Sequence, residues 1–588
     1  MILDKVNNPQ DLKKLNDSEL VELCSDIRGA ILNRLSKIGG HIGPNLGVVE
    51  ITTAFHYVFN SPIDKIVFDV SHQCYTHKIL TGRKEGFTND EKFDDVTGFT
   101  SRRESPHDIF TVGHTSTAVA LAVGLAKGRD LLNKKENIVA LVGDGSMSGG
   151  ECFEGIDNAA TLNSNIIIVL NDNDMSIYEN HGGLYKHLKE LRDSNGKSNN
   201  NMFKAMGFDY YYLDDGNDVL KCIDLFKKVK DVNHPVLLHI HTVKGKGFKP
   251  AEIDRANYHS GGPFDINTGE YYNNNYRDAY IPISSRIIRD IAKDKKEVIA
   301  LSAAAPFFFG KDDERKELDN QIMDVGICEQ AEIAIASGIA KNGGIPVLSV
   351  YSSFIQRSYD QLNQDLCLND NPVTILVYNG TIGKLSQNRT GSVTHLGIYD
   401  IPILSNIPNL VYLSPVFKEE YERMLEYALK ENKHPLAIRV PLEIVESGNK
   451  DNTDYSITNK YKVTNKGSEV ALIGAGNFYH LAIDVKDELS KYGINATLIN
   501  PIFMSGVDEE LLDELNKNHK VVATFEDGSL SGGFGEKVSS FYSTSTMKVL
   551  NYGIKKEFVD FKDMNSLIRE EHLDKQLAAQ DIINLLKN

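Results

Sequence analysis

Short runs of uninterrupted apolar, β-branched residues alternate with helical patterns through the first half of the chain. ENIVALVG (136–143), NIIIVLND (165–172) and PVLLHIHTV (235–243) predict strands covered on both faces. A helical pattern from about 148 to 162 lies between the first two, after a Gly-rich turn. Strand, helix, strand in that order predicts a βαβ unit and a parallel sheet. The polar stretch LRDSNGKSNNNM (191–202) offers little for a core and predicts a mobile loop, either an active-site lid or a plain insertion.

A second polar tract, DINTGEYYNNNYRDAY (265–280), predicts a linker, after which the pattern restarts. KEVIALSAA (296–304), QIMDVG (321–326), IPVLSVYSSF (345–354), PVTILVYNG (372–380) and NLVYLSP (409–415) predict a second sheet. EVALIGAGN (469–477), INATLINPIF (494–503) and KVVATFED (520–527) predict a third. The expected class is α/β with three domains, 1–265, 282–450 and 455–588, and a linker at 266–281. GAGN (474–477) and SGGFG (531–535) lack the full dinucleotide fingerprint and read as turns.

The chain has 588 residues, too many for one core. Its formal net charge of −17 argues against a nucleic-acid binder and requires any anionic ligand to be held by local groups. Six cysteines at 24, 74, 152, 222, 328 and 367 show no paired spacing, so neither a disulfide framework nor a zinc site is indicated. No apolar run reaches the roughly 20 residues of a membrane span, and the start lacks a secretory h-region. A cytoplasmic protein is expected.

The most specific local signal is Gly143-Asp144-Gly145-Ser146 after one buried strand and Asn171-Asp172-Asn173 after the next, with 27 residues between Gly145 and Asn173. Ligands of parallel sheets bind outside the carboxyl ends of strands. A carboxylate and an amide oxygen there suit Mg²⁺, which completes its octahedron with phosphate oxygens and water. GDG alone reads better as a tight turn; the pair is far more specific. Here the chain resembles the thiamine-diphosphate enzymes. The resemblance implies that Asp144 and Asn173 bind Mg²⁺ by side chain and Met175 by its carbonyl, with Gly145 and Ser146 against the diphosphate. It also requires a carboxylic acid facing the aminopyrimidine. Glu329, opening the helical pattern EQAEIAIASGIA, is the candidate, since a carboxyl in an apolar pocket keeps its proton more readily. Phe354, in the YSSF string after the next strand, is placed to stack on the pyrimidine.

Longer strings narrow the family. GGHIGPNLGVVE (39–50), DVSHQCYTHKILTGR (69–83), TVGHTST (111–117), LNDNDMSI, KGKGFKPAE, YHSGGPFD (258–265), YSSFIQRSYDQ and THLGIYDIPIL closely resemble the 1-deoxy-D-xylulose-5-phosphate synthase family, nearly end to end. The resemblance implies a transketolase-like architecture of a diphosphate-binding, a pyrimidine-binding and a C-terminal domain, assembled as a homodimer. Residue by residue, His72, Gly113, His114 and Thr115 match diphosphate and thiazolium contacts, and Phe248 an aromatic cofactor contact. His41, His259 and His395 match histidines around the reacting carbon, where an imidazole suits proton transfer. Tyr351 and Arg357 match substrate-side residues. The implied reaction decarboxylates pyruvate on the cofactor and joins the remaining two-carbon unit to D-glyceraldehyde 3-phosphate. His56, His77, His187, His234, His239 and His434 receive no role.

Several substrate-side positions depart from the family pattern. Gly391 stands four residues before His395 where an acid is usual, Ala331 replaces a histidine, and Asn379 and Leu442 replace arginines on the phosphate side. Loss of two such forks costs several kcal/mol of acceptor binding, at about 1.5–3 kcal/mol for each charged hydrogen bond. Lys384 and Arg389 are either substitutes or solvated loop charges. Three readings therefore remain open: an authentic synthase with a rebuilt phosphate clamp, a paralogue taking another aldehyde, and a silent cofactor binder.

Overall fold

The computed structural model describes residues 1–272 and 279–587, so positions 273–278 of the expected linker lie outside the described residues. The chain divides into two compact units. One comprises Met1–Arg277 with Gly326–Cys328; the other comprises Asp278–Val325 and Glu329–Asn588.

Unit one is built on five parallel strands: β1 (Lys65–Phe68), β2 (Ile138–Gly143), β3 (Ile166–Asp172), β4 (Asp209–Leu213) and β5 (Pro235–His241), in the order β1-β2-β3-β5-β4. The apolar runs predicted three of these. β1 has only four residues, and β4 (DYYYL) is a half-exposed edge whose tyrosines gave no apolar run. Helix α1 (Asp17–Ile38) starts at Asn16, whose side chain accepts from Glu19 N at 3.0 Å, while Asn16 N donates to the Glu19 carboxylate at 3.1 Å. It buries Leu20, Leu23, Cys24, Ile27, Ile31 and Leu35, a single face at helical spacing. Helices α2 (Ala118–Leu131) and α3 (Gly150–Ala160) pack closely where Gly155 meets Val119 and Ala120. A Cβ on Gly155 would stand 2.8 Å from Ala120 N.

The 191–202 segment is not a free loop. Helix Gly183–Asp193 buries Tyr185, Leu188 and Leu191, and Gly196 N closes onto Leu191 O at 2.7 Å. Asn201 then caps Met202–Met206, with Phe203 buried. Two apolar residues at the ends and one Asn cap anchor a stretch whose composition is otherwise polar.

Unit two carries two sheets. The first has six parallel strands: β6 (Val298–Ser302), β7 (Ile322–Asp324), β8 (Ile345–Tyr351), β9 (Thr374–Tyr378), β10 (Val411–Leu413) and β11 (Leu436–Arg439), ordered β10-β11-β9-β8-β6-β7. Helix α4 (Glu329–Lys341) follows β7. The second sheet is β12 (Lys462–Asn465), β13 (Glu469–Gly474), β14 (Thr497–Asn500), β15 (His519–Ser529) and β16 (Lys548–Ile554), ordered β12-β14-β13-β15-β16 with β12 antiparallel. A buried ionic staple joins the two sheets. Arg439 Nε donates to Asp400 at 2.7 Å, its NH1 contacts Asp527, and Tyr412 OH donates to Asp400 at 2.5 Å. Two buried carboxylates hold the Arg439 guanidinium well above its ordinary range against the cost of burial, and loss of either side would leave an uncompensated interior charge.

Among the described residues no helix is long and apolar enough to cross a membrane, and all six cysteines are free thiols.

Candidate functional site

In unit one the site forms at the carboxyl ends of β2 and β3. Gly143 and Asn171 are register partners, and Asp144 N donates to Asn171 O at 3.1 Å, so GDG and NDN stand side by side as the motif spacing predicted. The three polar side chains of NDN differ sharply in occupation. Asn171 Oδ1 accepts from Thr242 at 2.6 Å. The Asp172 carboxylate accepts from His239, Arg192 and Asp174 N. Asn173 Oδ1 is buried with no hydrogen-bond partner. Asp144, 1% exposed, receives Met175 N at 3.0 Å and Asn180 Nδ2 at 2.8 Å.

A buried amide oxygen without a donor beside a buried carboxylate is a donor set suited to a hard cation, and the residues present fit the magnesium ion that the resemblance implies. Burial and the neighbouring Asp172 push the Asp144 carboxyl well up, the direction a bound cation would reverse. Among the described residues no cluster of three His, Cys, Asp or Glu side chains gathers to hold a metal. Gly145 is required where it stands, since a Cβ there would lie 2.7 Å from Ser176 Cβ. Ser146 O accepts from Ser116 Oγ at 2.9 Å. That bond ties the GDG loop to Gly113, His114 and Thr115, which lead into α2, and the Asp69 carboxylate fixes the same segment through Ser116 N and Ala118 N at 2.9 and 3.0 Å. Gly326–Cys328 belongs to this unit: Ile327 N donates to Ser148 Oγ at 3.1 Å, and Cys328 Sγ to Ser148 O at 2.9 Å.

Three of the singled-out histidines converge. Ring centroids of His41 and His72 are 5.0 Å apart, of His72 and His259 5.3 Å, and of His41 and His259 5.8 Å. A two-residue antiparallel ladder, with His41 opposite Ser260, brings the first and last together. Asn45, fully buried, donates to both His41 O and His72 O at 2.8 Å and accepts from Tyr75 N at 2.9 Å. Beside His259 is Lys244, 2% exposed, whose Nζ donates to Ser176 O at 2.5 Å and lies 3.2 Å from His259 Nδ1. Burial pushes the Lys244 ammonium down to about 7. Burial, then the Lys244 charge, pushes His41 down to about 4 and His259 well below its ordinary value. These imidazoles are therefore neutral near pH 7, able to accept a proton and, through one ring nitrogen, to donate one. Phe248 sits apart from them, in an aromatic cluster with Tyr258 and Phe264.

In unit two Glu329 opens α4 and is 7% exposed. Burial raises its carboxyl, and Arg357, with NH1 3.6 Å away, partly opposes the rise. Arg357 thus faces the glutamate. Phe354 packs edge-on to both Tyr351 and His395, each at 5.6 Å between centroids, which brings these three expected residues together. Glu332, one turn after Glu329, is also buried, and its Oε1 has no hydrogen-bond partner.

At the departures, β9 and β11 are neighbours with Val377 opposite Arg439, so Asn379 and Leu442 follow adjacent strand ends. Asn379 is exposed, and Leu442 N donates to Asn477 at 3.0 Å. Lys384 is exposed and ion-paired with Glu443. Arg389 is exposed and bridges Asp563 through backbone, while Gly391 O accepts from Phe561 N at 3.2 Å. Ala331 is exposed on α4.

Asn45, Lys244 and Asn180 were missed in the sequence. The first two stand inside strings that carried the resemblance, GGHIGPNLGVVE and KGKGFKPAE, but neither shows a spacing that marks chemistry.

Three family models match the chain: 1-deoxy-D-xylulose-5-phosphate synthase over residues 3–200 and 194–242, the transketolase pyrimidine binding domain over 279–446, and the transketolase C-terminal domain over 459–560. Fold and matches define a transketolase-like α/β transferase of the class that works with thiamine diphosphate and a divalent metal. A 1-deoxy-D-xylulose-5-phosphate synthase of Lachnoclostridium phytofermentans is 37% identical, covering 99% of this chain and 98% of its own length. One of Alkaliphilus oremlandii is 36% identical with the same coverage. One of Caldanaerobacter subterraneus is 34% identical over 100% of this chain and 99% of its own. The chain belongs to the 1-deoxy-D-xylulose-5-phosphate synthase family.

Proposed function

We propose that this protein condenses pyruvate with D-glyceraldehyde 3-phosphate, releasing CO₂ and forming 1-deoxy-D-xylulose 5-phosphate, a precursor of isoprenoids and thiamine. The observation that carries this reading at the site is the pairing of Asp144 with the unpartnered, buried Asn173 oxygen. In a chain of this family that pair is the seat for a magnesium diphosphate. Full-length similarity to synthases favours this reading over both alternatives.

Asp144, Asn173 and the Met175 carbonyl hold Mg²⁺, and Gly145, Ser146 and the Gly113–Thr115 segment line the diphosphate. When bound, thiamine diphosphate supplies a carbon nucleophile and an electron sink for decarboxylation. Burial raises the Glu329 carboxyl, so it holds its proton more readily than an exposed glutamate, with Arg357 opposing the rise. His41 and His259, neutral beside Lys244, take and return protons at the substrate oxygens; His72 is the third ring of that group, and His395 keeps the proton-transfer role that the family resemblance implies. The domain division 1–265, 282–450 and 455–588, a homodimer and a cytoplasmic location belong to the same reading, supported by family membership.

A second reading, an unphosphorylated aldehyde acceptor, has one observation in its favour: Asn379 and Leu442 bring no charge, and Lys384 is paired with Glu443. Purified protein with Mg²⁺, thiamine diphosphate and pyruvate, with and without D-glyceraldehyde 3-phosphate, tests both. Deoxyxylulose phosphate seen by NMR supports the first. CO₂ release without that product supports the second, and no CO₂ in either arm overturns both.

A further inference from the structure

The turn bearing Asn173 is gripped from outside. Asp172 is wholly buried, and its Oδ2 accepts from His239 Nε2 at 2.8 Å and from Arg192 NH1 at 2.6 Å. Its Oδ1 accepts from Asp174 N at 3.1 Å. The second terminal nitrogen of Arg192 donates to Asp174 Oδ1 at 2.8 Å. One guanidinium, carried on the helix Gly183–Asp193, therefore bridges the residues immediately before and after Asn173. On the far side His239 Nδ1 faces Tyr210 OH at 2.8 Å, so His239 donates through Nε2 and accepts through Nδ1. The Asn173 carbonyl oxygen accepts from Arg255 at 3.4 Å. Asp174 is held at φ 63, a left-handed conformation that a short polar side chain tolerates.

We propose that Arg192 is the positioning residue of the metal turn: by bridging Asp172 and Asp174 it aims the Asn173 side-chain oxygen and sets the affinity for the divalent cation. The proposal rests on the reading of Asp144 and Asn173 as the cation's ligands. Mg²⁺ tolerates little departure from octahedral geometry, so an amide oxygen free to rotate is a poorer ligand than one whose backbone is fixed on both sides. Groups that orient metal ligands typically account for about 10–100-fold in metal affinity. Arginine suits this task because its planar fork directs separate N–H donors to the two carboxylates in a fixed geometry, where a lysine ammonium is a flexible point charge. Arg192 stands in the polar stretch 191–202, where composition alone marks only a loop; its 10% side-chain exposure and two ion pairs tie that stretch to the site.

Mn²⁺ binding, followed by electron paramagnetic resonance on the full chain with thiamine diphosphate, tests the proposal. Arg192→Met is expected to weaken Mn²⁺ binding at least tenfold, and Arg192→Lys by less. Asp174→Asn is the second variant: Asp174 is 57% exposed, its loss leaves Asp172 paired, and a several-fold weakening is expected. For each variant the Mg²⁺ concentration giving half-maximal rate should rise by the same factor, while pyruvate KM at saturating Mg²⁺ stays within twofold. A purely structural role would instead lower the melting temperature and leave Mn²⁺ affinity unchanged. Folded Arg192→Met with Mn²⁺ affinity within twofold of wild type overturns the proposal; if that variant does not fold, Asp174→Asn with unchanged affinity does so. Wild type that binds no Mn²⁺ with the cofactor present overturns the reading of the ligands and this proposal together.

Discussion

The Arg357 guanidinium stands 3.6 Å from the Glu329 carboxylate at the start of α4. Burial raises the Glu329 carboxyl and Arg357 opposes the rise, so the two effects work against each other on one group.

Glu329→Ala is expected to lower the rate about 10²–10⁴-fold, with bound thiamine diphosphate no longer exchanging its C2 proton for deuterium. Arg357→Met removes the opposing cation. Glu329 then stays protonated to higher pH, and the limb of the pH–rate profile that reports it moves in the alkaline direction. A limb that stays put or moves toward acid contradicts the pairing.

Lys244 has a folded-state pKa pushed down to about 7, against about 10.4 when exposed. Between these values the unfolded chain holds a proton that the folded chain lacks, so this group makes stability rise with pH from 7 toward 10. Lys244→Met should flatten that slope in denaturant titrations at pH 7, 8 and 9. It should also reduce activity, because Ser176 O and His259 Nδ1 lose their donor.

A buried relay anchors the segment that carries His72. His56 Nε2 meets His77 Nδ1 at 2.8 Å, His77 Nε2 meets Asp108 at 2.8 Å, and Arg83 grips Asp108 at 2.7 and 2.8 Å. Burial lowers both histidines. Below about 6.5, the pKa of an unperturbed histidine, the unfolded chain gains protons that the folded chain refuses, and stability falls with acid. Melting temperatures from pH 8 to 5 should show this fall, and His56→Phe should shrink it.

The Lys384–Glu443 pair is solvent-exposed and of little value to stability. Its importance lies in the acceptor: Glu443→Gln releases the lysine. If Lys384 replaces a lost arginine fork, KM for D-glyceraldehyde 3-phosphate falls several-fold while KM for pyruvate holds. An unchanged acceptor KM assigns Lys384 to the surface.

The sheets were legible because parallel strands buried on both faces leave uninterrupted apolar runs, and every predicted strand has its counterpart. β4 and β12 escaped because these edge strands carry tyrosine, lysine and asparagine, and the four-residue β1 and β11 and the edge strand β16 escaped as well. GDG and Asn173 were legible because each directly follows a buried strand. Arg192 was not: a charged residue in a polar stretch reads as solvated, and only packing of Leu188 and Leu191 turns its helix toward Asp172.

The sequence by itself determined the α/β class, the pairing of the GDG and NDN turns at neighbouring strand ends and the family, since each depends on residues close in the chain or on strings long enough to be specific. Tertiary structure decided which of Asn171, Asp172 and Asn173 offers an open oxygen, that His41, His72 and His259 converge with a buried lysine beside His259, and that Arg357 faces Glu329. Those outcomes depend on burial and on partners tens to hundreds of residues away. Hydrogen-bond occupancy and desolvation are properties of the packed interior, and no local pattern encodes them.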